Sequence, residues 1–308
     1  MASQKDTANR IGSVKNIQKI TSAMQMVAAA RLRRAEQRIQ ALRPYADTIE
    51  TMTRTAAAAA GSIPDLPILN PHEEVNNVGL LLMAGDRGLA GSFNTQIIRS
   101  GVAARQEEID EGRDVTLFAV GRRIDSSLNF RDMEPSRAFT GFTDRPEYHN
   151  AREIATELIA QYIDGKVDQV DIVYNSYLSP LTQVVTRQRI LPLAEAQILH
   201  GGLSDDDDAE SLDEQHEMVE GETEPLWDYE PAPEELLKRL IPDFVEITIY
   251  RALLESAASE MGAKMTAMRS ASDNASEMIK NLTLEMNRQR QAAITQEILE
   301  VVGGAEGL

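Results

Sequence analysis

No cysteine occurs in the 308 residues of this chain. That absence excludes a disulfide framework, thiolate nucleophiles and zinc ribbons, and it predicts a reducing compartment. Histidine is almost as scarce, with 4 scattered residues, so a histidine-based metal cluster is not expected. No run of about 18 apolar residues could span a bilayer, and the N-terminal stretch alternates polar with apolar residues rather than forming a leader-like block. The expectation is a soluble or peripheral protein. No Ser/His/Asp set or pair of carboxylates suggests a catalytic centre.

What is present is apolar mass and polarised charge. At 42% hydrophobic residues the chain has ample material for a core. The net charge of -18 is unevenly distributed. Residues 1–60 carry 10 Lys/Arg against 4 Asp/Glu, whereas residues 205–235 carry 15 acidic residues and no basic one. Charge separated in this way points to a partner.

Periodicity divides the chain. From about Thr7 to Ala60, apolar or small residues recur at Ile11, Val14, Ala28, Leu32, Ala35, Ile39, Leu42, Ala46 and Ile49. Steps of three and four predict one helical stripe. Pro44 is expected to kink this rod without ending it. Roughly 50 helical residues at ~1.5 Å each would reach about 75 Å, too long to fold onto a globule of this size. A second rod is expected after Pro242 and continuing to about Val302, with a stripe through Met261, Met265, Met268, Ala275, Ile279, Leu282, Met286 and Ala293. Two such rods at opposite ends of a chain most simply pair as an antiparallel coiled coil, and small residues at 26–30 and 255–263 permit close approach. A methionine-rich seam is also a yielding one.

Between the rods the period changes. Residues 78–85, 115–121, 170–177 and 182–190 read as strands, and helical segments near 94–109 and 147–163 separate some of them. The fold class expected is therefore α/β plus a long antiparallel coiled coil, with a central Rossmann-like domain carrying a mostly parallel sheet. The bounds expected are 1–60 for the N-terminal helix, 61–204 for the α/β domain, 205–235 for an acidic loop and 236–308 for the C-terminal helix.

Three motifs have a sharp reading beside a plain one. "GDRGLAGS", Gly85–Ser92, could cradle phosphate on backbone N–H groups between a strand and a helix, but it lacks the Lys-Ser/Thr ending of a P-loop and the spacing of a dinucleotide fingerprint. A structural turn displaying Asp86 and Arg87 is the expected outcome. "DDDD", Asp205–Asp208, lacks the bending glycine of a calcium loop and reads as solvated chain. The arginines from Arg31 to Arg38 could grip nucleic-acid phosphates, yet the chain is acidic and no aromatic stacking residues accompany them. Glycosylation patterns at Asn274 and Asn281 fall on a helix and are read as chance. A nucleotide-binding α/β protein with coiled-coil arms and a basic coiled-coil nucleic-acid binder are the alternatives.

"IGSVKNIQKITSAMQMVAAARLRRAEQR" (Ile11–Arg38), "DRGLAGSFN" (Asp86–Asn94) and the stretch from Met265 to Leu308 resemble the three signature stretches of the gamma subunits of F-type ATP synthases. The resemblance covers both rods nearly end to end. It implies a non-catalytic rotor shaft without cofactors, metal or nucleic acid. Its partners would be the alpha and beta subunits of the catalytic ring, the epsilon subunit and the ring of c subunits, at the cytoplasmic face of the cell membrane as a peripheral protein without membrane insertion. The residues it matches to beta-subunit contacts are Met24, Arg87, Lys264, Arg290, Gln291 and Thr295. Lys264 stands where arginine is frequent, so a bidentate guanidinium contact is not available there. Ala90, Ser92 and Met286 also depart from the frequent residues.

Overall fold

The computed structural model describes residues 4–60, 66–193 and 232–305. The acidic segment 205–235, including Asp205–Asp208, lies outside the described residues apart from its last four. Helix α1 runs Gln4–Ala60, followed by β1 (Asn77–Met83), α2 (Phe93–Asp110), β2 (Asp114–Val120), α3 (Arg122–Asn129), β3 (Arg137–Phe139), α4 (Tyr148–Ile163), β4 (Gln169–Tyr177), β5 (Gln183–Leu191) and α5 (Pro233–Ala305). The four expected strands and the two expected helices are present. Helix α3 and strand β3 were not anticipated, being only 8 and 3 residues long.

The strands form one sheet in the order β3-β2-β1-β4-β5. All pairings are parallel except β4 with β5. Because successive side chains leave a strand on opposite faces, the near-continuous apolar run of β1 serves two cores. Leu81 and Met83, with Phe118, Val120 and Ile172, face Ile154 and Leu158 of α4, Ile49 of α1 and Ile241 of α5. Val78, Leu80 and Leu82, with Leu117, Ala119 and Val173, face Ile97 of α2 and Ile124 and Leu128 of α3. Burying each such side chain contributes about 1.5–3 kcal/mol. On the second face, Asp171 of β4 is tied to Arg187 of β5 at 2.7 Å, and Arg187 also pairs with the buried Glu108 of α2.

Close approach explains one glycine. Gly121 has φ +96°, and a Cβ there would lie 2.1 Å from the carbonyl oxygen of Ala84. No other residue fits between β2 and the end of β1.

Helix α5 corrects one expectation. It begins at Pro233, not after Pro242, and continues through Pro242. A proline at the first helical position loses nothing, because that N–H has no intrahelical partner. At Pro242 one backbone bond is forfeited, but Leu237, Leu240, Ile241, Phe244 and Val245 around it are buried in the sheet's core. That burial outweighs the break. Pro44 likewise sits inside α1 without ending it.

Contacts divide the described residues into two compact units. One comprises Leu32–Gly88 and Ser92–Glu260 and holds the sheet; the other comprises Met1–Arg31, Leu89–Gly91 and Met261–Leu308 and holds the helix pair. In the helix pair, Thr7 bonds Gln289 at 3.2 Å and Gln18 bonds Ser276 at 2.6 Å, so one helix ascends as the other descends. The pairing is antiparallel, as expected. Thr7, Ile11, Thr21 and Ala28 are buried on one side, and Met261, Met268, Ala275 and Leu282 on the other, with Val14, Gln18, Gln25, Met265, Ile279 and Met286 half-buried between them. The spacing is a heptad repeat whose α1 side is partly hydroxyl and amide.

Candidate partner-contact surface

Arg290, Gln291 and Thr295 lie together on consecutive turns near the end of α5, and all three are exposed. The Thr295 hydroxyl donates to the Gln291 carbonyl at 2.9 Å, a common helix back-bond that leaves the Gln291 side chain facing solvent. Every residue from 291 to 299 is exposed. That run includes Ile294, Ile298 and Leu299, and Val301 beyond it is 73% exposed. Arginine, amide and aliphatic groups on one open helical segment form a surface for a partner that offers both hydrogen bonds and apolar cover.

Met24 and Lys264 are in the same unit, on opposite helices, and both are half-buried beside the seam. Lys264 already engages other groups of the chain. Neither lies with the Arg290 group. A second apolar row on α1, Ile17, Ile20 and Val27, is exposed at 52–58%. It lies outside the stripe that faces α5. Ile17, Ile20 and Val27 are spaced by 3 and 7, which is a helical signal.

Residues 85–88 of the loop after β1 belong to the unit that holds the sheet. Arg87 is exposed there, as expected. Asp86 is not displayed, contrary to the expectation. Its Oδ2 accepts from the Gly141 amide at 2.9 Å and from the Thr143 amide and hydroxyl at 3.1 Å, and its Oδ1 accepts from the Arg122 amide at 3.0 Å. Partial burial pushes the carboxyl pKa up, but the amides of Gly141, Thr143 and Arg122 outweigh it and hold Asp86 below the ordinary carboxylate range. The Gly85 amide is taken by Asn94 Oδ1 at 2.8 Å. A phosphate cradle needs free amides and no negative charge. Here an amide is occupied and a carboxylate is built in, which disfavours the nucleotide-binding alternative. Among the described residues, no group of three or more His, Asp or Glu could hold a metal ion, and no helix is long and apolar enough to cross a membrane.

Known proteins resemble this chain over its whole length. A family model described as ATP synthase matches residues 3–308. The ATP synthase gamma chain of Moorella thermoacetica is 40% identical over 308 residues, covering 100% of both chains. That of Desulfitobacterium hafniense is 42% identical over 309 residues, again covering 100% of both. Among solved structures, a chain of the Euglena gracilis mitochondrial ATP synthase OSCP/F1/c-ring assembly aligns with TM-score 0.62 at 18% identity, over 99% of this chain and 94% of that one. A chain of the Tetrahymena thermophila central stalk and c-ring aligns with TM-score 0.56 at 24% identity, over 82% of this chain and 99% of that one. The structural likenesses bear on the fold alone, whereas identity of 40–42% from end to end bears on descent. On those matches, with a pair of long terminal helices in one unit and a mostly parallel sheet in the other, the chain belongs to the ATP synthase gamma chain family.

Proposed function

We propose that this chain is the central-stalk rotor of a proton-translocating ATP synthase, turning with the ring of c subunits and imposing different conformations on successive beta subunits. A shaft shifts the populations of its neighbours only through contacts that differ between their states. Its chemistry is therefore contact, and ATP forms on beta. Met24, Arg87, Lys264, Arg290, Gln291 and Thr295 are assigned to the beta-facing surface. The α/β unit, with the epsilon subunit, joins shaft to c-ring. The complex holds the chain peripherally at the cytoplasmic face of the membrane.

The observation that carries this reading is the open end of α5, where residues 291–299 are all exposed while Ile294, Ile298 and Leu299 are strongly apolar. Such a segment needs an enclosing partner. Replacing Ile294 and Ile298 together with Asp tests it. Assembly with alpha and beta subunits, or turnover of the assembled complex, is expected to fall severalfold, while the melting temperature of the free chain stays within a degree or so of the parent. Unchanged assembly and turnover would overturn the assignment.

A further inference from the structure

A rotor must do more than present a surface: its helices must not slip in the domain that drives them. Residues 252–260 of α5 are nine consecutive buried positions, so the helix there is enclosed on every side. Apolar enclosure is non-directional and by itself sets no preferred angle about the helix axis. Yet this stretch carries Glu255 and Glu260, 5% and 2% exposed, and Ser259, fully buried. Buried carboxylates are costly unless held by directed bonds.

The bonds converge on one end of the sheet. Glu255 Oε2 accepts from the Ser176 hydroxyl at 2.8 Å, and its Oε1 accepts from Arg251 Nε at 2.8 Å. The Ser259 hydroxyl donates to the Asn175 carbonyl at 3.1 Å. The Glu260 carboxylate lies so close to Gly85 that a Cβ on that glycine would be 2.9 Å from it. On α1, Glu36 accepts from the Tyr177 hydroxyl at 2.5 Å. Asn175, Ser176 and Tyr177 are consecutive at the end of β4, and Gly85 follows β1, which pairs with β4.

We infer that Glu255, Ser259 and Glu260, seated on Ser176, Asn175 and Gly85, are the torque-bearing joint of the shaft: positioning residues that fix the rotational setting of α5 on the sheet. Turning α5 about its axis would break the bonds of Glu255 to Ser176 and of Ser259 to Asn175 at a buried site. The inference rests on the rotor reading above.

The test uses the assembled complex in sealed vesicles, reading ATP hydrolysis and ATP-driven proton pumping side by side. Glu255→Ala combined with Ser259→Ala is expected to retain hydrolysis while protons pumped per ATP fall by about twofold or more, because a hydrogen bond to a charged group biases an equilibrium by roughly tenfold or more. Glu255→Gln keeps an acceptor for Ser176 and is expected to hold the parental ratio. A merely structural role would lower hydrolysis and pumping together and leave the ratio unchanged, and that result would overturn the joint. Should the double variant not assemble, Ser259→Ala alone and Gly85→Ala, which displaces Glu260, are read in the same way; parental ratios in both would equally overturn it. Failure of the rotor reading has a different signature: the parental chain, added back to complex depleted of it, would not restore pumping at all.

Discussion

Two nine-residue stretches of α5 teach opposite lessons from similar compositions. "ALLESAASE", 252–260, is buried on every side, and "QAAITQEIL", 291–299, is exposed on every side. The buried stretch has two glutamates and the exposed one has one, while the exposed one has more β-branched aliphatic residues. Local hydropathy does not explain the difference. Surroundings do: the first stretch lies where the chain packs helices onto the β1–β4 sheet, and the second lies beyond the bond between Thr7 and Gln289 in the helix pair. The first must satisfy its charges internally, and the second leaves its apolar groups for another protein.

The most forceful way to break the contrast is to remove the same side chain from each regime. Leu254 is 1% exposed and Leu299 65% exposed. Leu254→Ala is expected to cost about 2–5 kcal/mol in chemical unfolding of the full chain, through lost burial and a cavity. Leu299→Ala is expected to stay within about 0.5 kcal/mol. Equal losses would mean that the open end of α5 is covered by the chain itself.

A middle regime sharpens it. The seam between Thr7 and Ala28 is buried like a core but carries Gln18 and Thr21 at inward positions. Polar groups there specify register at some expense of stability. Gln18→Leu with Thr21→Val is expected to raise stability by about 1 kcal/mol and to blur the register. A cysteine pair at Gln18 and Ser276 reports on register directly, since no native cysteine competes. Crosslinking should be near complete in that pair and reduced when Thr7→Val, which removes the bond to Gln289, is added, and unchanged crosslinking would show that the apolar rows alone set the alignment.

The smallest effect expected concerns Asp86. Its pKa lies below the ordinary value of 3.8, so the ionised form is the one the fold prefers. Its stabilisation is fully present above that value and is lost as pH falls through the lower folded value. Asp86→Asn is expected to lower the melting temperature modestly near neutral pH and to flatten the acid limb of the stability curve below about pH 4. Parallel acid limbs in parent and variant would remove Asp86 from the account.

How much of this was legible beforehand varies with the range of the interaction. The helical stripes, the four principal strands and the two longer sheet-packing helices follow from local period, and they were readable. "RRIDSSLN" and "RAF" were not, because a helix of two turns and a strand of three residues carry too little pattern to stand above a loop. The polar members of the heptads, Thr7, Gln18 and Thr21, do not show in apolar stripes, although Thr7 and Gln18 bond across the pair. The setting of Asp86 is not legible locally for a different reason: its partners Gly141 and Thr143 are 55 and 57 residues away, and no local rule connects them. The Arg290, Gln291 and Thr295 grouping was legible as helical neighbours, but that no described residue covers them was not.

The strict seven-residue spacing of Thr7, Val14, Thr21 and Ala28 has a consequence for handedness. A helix of 3.6 residues per turn drifts by about 20° per heptad against such a repeat, so keeping the row on its partner coils the pair to the left. A left-handed rope answers the two senses of twist differently: one winds its strands together and presses the seam, and the other prises them apart. A yielding lining of Met261, Met265, Met268 and Met286 lets the pair absorb the first as compression, while the second meets only the hydrogen bonds and the cohesion of that lining.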